Sequence, residues 1–184
     1  MSIAGKTKSP LARHPMRCTA FCLLILISVL ASLFIADQPA NAQEKTGLTI
    51  DLIVTAQGRE LFDSWDNPNG KPFEIVPAKM APRGKFLSAV VLFTGCKADA
   101  SGNCNVEIDI VAYDPVGKTY GDMKGAELWQ HRPAPPPGHT QLGVAYMGLE
   151  IEPQDTAGTY RVEALARDLN AGVEAASAVQ FEVE

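Results

Sequence analysis

From Leu48 onward the chain alternates. Leu48, Ile50, Leu52 and Val54 are separated by Thr49, Asp51, Ile53 and Thr55, a period of two that predicts a strand with one face in a core. Gln57 to Lys71 loses that period and reads as a long loop. Phe73 to Val76 reads as a short second strand stopped by Pro77, and Pro82-Arg83-Gly84 as a turn. Phe86 to Thr94 is apolar at both alternations, which fits a central strand covered on both faces. Val106, Ile108, Ile110 and Ala112 then share one face while Glu107 and Asp109 take the other, and Asp114-Pro115-Val116-Gly117 fits a type I turn.

Beyond that turn the pattern weakens through Trp129 and gives way to a proline-rich loop from His131 to His139. Gln141 to Ile151 reads as one long strand or as two with Gly148 as a break, and Glu152 to Gly158 as a turn. Tyr160, Val162, Ala164 and Ala166 alternate with Arg161, Glu163, Leu165 and Arg167. Leu169 to Gly172 leads into a last strand carrying Val179, Phe181 and Val183, so the chain ends in a hairpin. About seven short, turn-punctuated strands point to an all-β, antiparallel two-sheet sandwich over residues 43–184.

The run Asp155-Thr156-Ala157-Gly158-Thr159-Tyr160-Arg161-Val162, followed by Asp168, Gly172 and the final strand, resembles the closing hairpin of bacterial immunoglobulin-like and fibronectin-like domains. The resemblance covers about the last 35 residues. It implies an immunoglobulin-like sandwich in which the Tyr160 hydroxyl ties back to the preceding turn. This chain departs from the antibody type, because no cysteine follows Tyr160. Such scaffolds serve adhesion, assembly and ligand binding, and the fold by itself assigns no activity.

The N-terminus carries a different pattern. Lys6, Lys8, Arg13 and Arg17 precede an uncharged, mostly apolar run from Thr19 to Ala36, and Ala40-Asn41-Ala42 before Gln43 has the small-x-small form of a signal-peptidase site. The expectation is a bacterial Sec-type signal helix over 1–42, cut after Ala42, with the protein periplasmic or secreted and Gln43 its first residue. The competing reading is an inner-membrane anchor formed by residues 19–36, a length that just spans a bilayer. No Arg-Arg pair precedes the apolar run and no cysteine follows it directly, so neither the twin-arginine route nor a lipid anchor is expected.

Loss of the signal removes Cys18 and Cys22 and leaves Cys96 and Cys104 in an oxidising compartment, where thiols pair. The seven residues between them are turn-forming, so a disulfide would close the mouth of a hairpin. Zinc is the alternative, but that spacing is wider than the usual two to four residues and no second pair exists.

The chain has 184 residues, 16 basic and 21 acidic, for a net charge of −5. The four bases and one acid before Gln43 leave 12 against 20, a net of −8 in the exported part. Such a surface repels phosphate backbones, so nucleic acid is not an expected partner. No catalytic residue is singled out: Ser64, Ser88, Ser101 and Ser177 lie in no Gly-x-Ser-x-Gly elbow, and no zinc or phosphate-loop motif appears. Trp129, His131 and His139 flank or lie in a loop stiffened by three consecutive prolines. That loop reads as a rigid crossover, as a protein-contact segment, or, with Met147, as ligands for a soft metal such as copper. Leu61 to Gly70 is rich in oxygen ligands, but Trp65 occupies the first ligand position of the standard calcium pattern. Trp65 and Trp129, with Tyr113 and Tyr120, are instead candidates for an aromatic sugar platform or for core packing. The sequence reading is therefore a non-enzymatic exported binding or assembly module without a cofactor, whose partner is a protein or a polysaccharide.

Overall fold

The computed structural model describes residues 47–65 and 74–184. The expected signal segment with its expected cleavage residues Ala40, Ala42 and Gln43, the apolar run 19–36 and residues 66–70 of the oxygen-rich loop lie outside the described residues.

Among the described residues, eight strands form two sheets. Strands β1 (Thr49–Thr55), β3 (Phe86–Thr94) and β6 (Gln141–Glu150) make one sheet in the order β1-β3-β6. Strands β2 (Met80–Ala81), β4 (Asn103–Tyr113), β5 (Thr119–Pro133), β7 (Gly158–Asp168) and β8 (Val173–Val183) make the other, in the order β2-β8-β7-β4-β5. Leu87, Ala89, Val91 and Phe93 of β3 share one buried cluster with Val106, Ile108 and Ile110 of β4 and with Tyr160, Val162 and Phe181. The core thus lies between the sheets, filled from both by the period-two apolar positions.

Three features depart from the sequence reading. The strand expected at Phe73–Val76 is absent from the described residues 74–76, and the short strand lies later, at Met80–Ala81, where it pairs parallel to β8. All other pairings among the described residues are antiparallel, and those residues form eight strands where about seven were expected. Within the expected loop Gln57–Lys71 lies a helix, α1 (Gly58–Trp65). The Thr55 hydroxyl oxygen accepts the Gln57 N–H at 3.2 Å, and Glu60 N–H donates to Gln57 O at 3.1 Å, which turns the chain into the first helical turn. Leu61, Phe62 and Trp65 form its apolar stripe, too few positions to show a 3.6 period. The Gln57 side chain fastens the return of the chain, accepting Val76 N–H at 2.8 Å and donating to Glu74 O at 3.0 Å.

The weakly patterned stretch is the longest strand. The 15 residues of β5 run against 11 of β4, and four register shifts absorb the excess. One shift leaves His131 unpaired between Gln130 and Arg132, at φ 53°, a β-bulge that no glycine occupies. Each bulge re-aims the following side chains, so Leu128 is buried and Trp129 packs on the core without strict alternation. Gly148 does not interrupt β6, which is continuous from Gln141 to Glu150.

Polar ties fix the loops. The buried Asp168 carboxylate accepts N–H groups from Lys97 at 2.6 Å, Asn170 at 3.0 Å and Ala171 at 3.1 Å. The Asn170 amide donates to Lys97 O at 2.9 Å and Asn103 O at 3.1 Å, so the β7–β8 turn is tied to the cysteine loop. Cys96 and Cys104 are disulfide-bonded, with Cα atoms 5.9 Å apart. At the other end Arg83 donates to Glu184 O at 2.6 Å, to Pro153 O at 3.1 Å and to Asp155 O, gathering the β6–β7 turn around one guanidinium.

Candidate functional site

The outer face of the three-stranded sheet is aromatic. Alternation along β3 sends Leu87, Ala89, Val91 and Phe93 into the core and leaves Phe86, Ser88, Val90 and Leu92 on the opposite face. Register places Tyr146 beside Val90, Gly148 beside Ser88 and Glu150 beside Phe86. Helix α1 lies over part of this face: Leu61 is fully buried against Val90 and Leu142, with Phe62 and Trp65 packed around them. The Phe62 and Tyr146 rings meet at 5.1 Å, tilted by 43°. The tip of the Phe86 ring crosses Gly148, where a Cβ would fall 2.4 Å from its Cζ, so the glycine makes room for the ring. Phe86 is 55% and Tyr146 48% exposed, large for aromatic rings on a sheet. Beneath them the Ser88 hydroxyl is fully buried with no hydrogen-bond partner among the described residues.

The residues singled out from sequence do not come together. Trp65 packs on the Val90 face of β3, whereas Trp129 packs on the core against Phe93, centroids 5.6 Å apart, so the two tryptophans sit on opposite faces of one sheet. The Trp129 indole donates to Pro133 O at 2.9 Å and carries the Arg132 guanidinium 5.3 Å above its ring. Tyr113 lies under Arg161 at 4.9 Å. Tyr120 donates toward Asp155 Oδ2 at 2.6 Å and meets Tyr160 edge-on at 5.3 Å. Burial first, and then the Asp155 carboxylate, push the Tyr120 phenol well above its ordinary value, which leaves it a fixed donor.

His131 and His139 are both exposed, His131 in the β5 bulge and His139 after a turn closed by its N–H to Pro136 O at 3.0 Å. Met147, the thioether considered with them, is buried in the core. Among the described residues no group of three or more His, Cys, Asp or Glu is placed to hold a metal ion. No described helix is long and apolar enough to cross a membrane. Phe62, Phe86, Tyr146 and Gly148 were not legible as a site, since only the β3–β6 register and an unforeseen helix place them side by side.

The outer face of the five-stranded sheet holds a shallow depression of about 540 Å³ lined by Val111, Leu165, Ala176 and Ala178, with Asp109 and Glu163 at its rim. Arg167 bridges Asp109 at 2.7 Å, Glu174 at 3.1 Å and Glu107 at 3.5 Å along this face. Its hydrogen bond, reinforced by the Gly125 N–H, holds the Asp109 carboxyl below the usual range.

No protein-family model and no curated protein sequence matches the chain. Among solved structures it is similar to a Niemann-Pick type C2 protein from the Japanese carpenter ant, at 11% identity and TM-score 0.41, over 75% of this chain and 93% of that one. It is also similar to an alkylpurine DNA glycosylase from Pseudomonas fluorescens bound to DNA containing an abasic site analog, at 12% identity and TM-score 0.37, over 74% of this chain and 30% of that one. A family 123 glycoside hydrolase from Clostridium perfringens matches at 8% identity and TM-score 0.38, over 73% and 27%.

Proposed function

We propose that the chain is an exported, non-enzymatic binding or assembly module that engages a protein partner through the aromatic face formed by Phe62, Trp65, Phe86 and Tyr146. The observation that carries this reading is the Phe62–Tyr146 contact at 5.1 Å beside a Phe86 ring laid across Gly148, a cluster half open to solvent. Partly exposed aromatic clusters mark contact sites, because rigid rings give large contact area at small entropy cost. Export through a signal segment cleaved after Ala42 and residence in the periplasm belong to the same reading, and the Cys96–Cys104 disulfide supports them. The immunoglobulin-like assignment is supported by the Tyr160 hydroxyl, which donates to Thr156 O at 3.1 Å as a tyrosine corner does.

Capture of tagged protein from cross-linked envelopes tests the function. Near-stoichiometric recovery of one protein, reduced at least about tenfold by Phe62→Ala with Tyr146→Ala while the melting transition persists, is the expected outcome. Unchanged recovery in that double variant removes the aromatic face from the interface. A second reading is favoured by the same rings, because flat exposed aromatics also stack on sugar rings. Trp65 packs in this cluster, so its fluorescence reports binding of soluble polysaccharides, and a saturable shift would transfer the site to a glycan.

A further inference from the structure

The sheet edges are treated unequally. The outer edge of β5 is broken by four bulges and ends at Pro133, devices that block pairing with another chain. The free edge of β1 is occupied from within: Leu52 N–H donates to Ser177 Oγ at 3.1 Å, and Val54 O accepts Ala78 N–H at 2.7 Å. Among the described residues, strand β8 has neither protection along most of its length. Strand β2 covers only Glu182 and Val183, and Glu182 N–H donates to Lys79 O at 2.9 Å. That bond sets the parity of the strand: even-numbered residues of β8 turn their N–H and C=O groups to the open edge, and odd-numbered ones bond to β7. Among the described residues nothing pairs with the edge groups of Glu174, Ala176, Ala178 and Gln180. No proline, lysine or bulge interrupts this run, and Ala175, Ala176, Ser177 and Ala178 at its centre carry small side chains.

We infer that this edge joins the same edge of a second copy of the chain, so that two five-stranded sheets become one continuous sheet. The segment is self-complementary. In the antiparallel register centred on Ser177, Ala176 faces Ala178 of the second copy and Glu174 faces Gln180, so all four outward residues of each chain find backbone partners. No like charges meet, because the one acid in the run faces an amide and is already paired with Arg167 at 3.1 Å. The pairing stops at Gln180, where β2 takes over. The Ala176 and Ala178 methyl groups keep the joined outer face flat, beside the depression floored by Val111 and Leu165. This surface is separate from the aromatic face, and the inference stands independently of it.

Protein expressed from the full-length coding sequence, processed as the cell processes it, is followed by light scattering from about 1 µM to about 1 mM, a range suited to a small interface. The expected result is a mass rising from one copy toward two. Ala176→Pro deletes one outward donor and no bond to β7, so it weakens the association more than about tenfold while circular dichroism is retained. Amide exchange gives a second readout: Glu174, Ala176, Ala178 and Gln180 gain protection with concentration, while Ala175, Ser177 and Val179 are protected throughout. A mass of one copy over the whole range overturns the inference. So does a dimer that a folded Ala176→Pro leaves intact, or protection that gathers elsewhere; if that variant does not fold, the exchange pattern of the unaltered chain decides.

Discussion

Replacing Asp168 with alanine would strand three backbone N–H groups at once, those of Lys97, Asn170 and Ala171, in a site where the carboxylate is buried. Buried donors left without an acceptor cost more than the net worth of their bonds, so Asp168→Ala should lower stability by about 3 kcal/mol in urea unfolding. Asparagine, which keeps an acceptor oxygen, should recover part of that loss. Asp109 makes a case for pH. Its carboxyl titrates below its ordinary 3.8 because the Arg167 hydrogen bond favours the charged form. A depressed folded value means that the contribution is present above the unfolded value and is lost as pH falls through the folded one. Asp109→Asn should therefore cost about 1 kcal/mol at neutral pH, and the gap to the unaltered protein should close as pH falls below 3.8. A gap constant across that range would show that the pair works through packing alone.

At the scale of elements, alternation was enough where strands pair regularly. The apolar run Phe86–Thr94 coincides with the bounds of β3, and the buried positions of β4 and β7 are those of the alternating apolar face. It was not enough for β5, because four extra residues scatter its inward side chains and erase any period of two. It also failed for α1, whose eight residues hold one short apolar stripe. The site followed the failures: Trp65 was legible as an aromatic of interest, but its neighbours Phe62 and Tyr146 depend on the helix and on the β3–β6 register. A junction between elements supplies a further test. Gly95 has φ +79°, and a Cβ there would sit 2.3 Å from Gly47 O, where the chain leaving β3 presses on the chain entering β1. Gly95→Ala combines left-handed strain with a backbone clash and should cost about 2 kcal/mol or more, read as a lower urea midpoint. An unchanged midpoint would mean that the two segments separate freely.

For the whole molecule, the disulfide closes only a short loop, so its removal should subtract about 2.5 kcal/mol on the chain-entropy estimate. The Asp168 and Asn170 bonds hold the same loop to the β7–β8 turn from outside. Cys96→Ala with Cys104→Ala should therefore remain folded with a lowered melting temperature, and outright unfolding would assign the bond a larger part. The last strand carries more of the architecture than its place in the chain implies. Ser177 receives Leu52 from 125 residues away, and Glu184 receives Arg83 from 101 away. A chain emerging from its N-terminus can pair β1 with β3, yet the bonds that fasten that sheet to the other one wait for residues near its end. Closure should therefore come late in synthesis, and pulse-labelled amide exchange checks it: the Leu52 amide should gain protection only once the strand that carries Ser177 is in place.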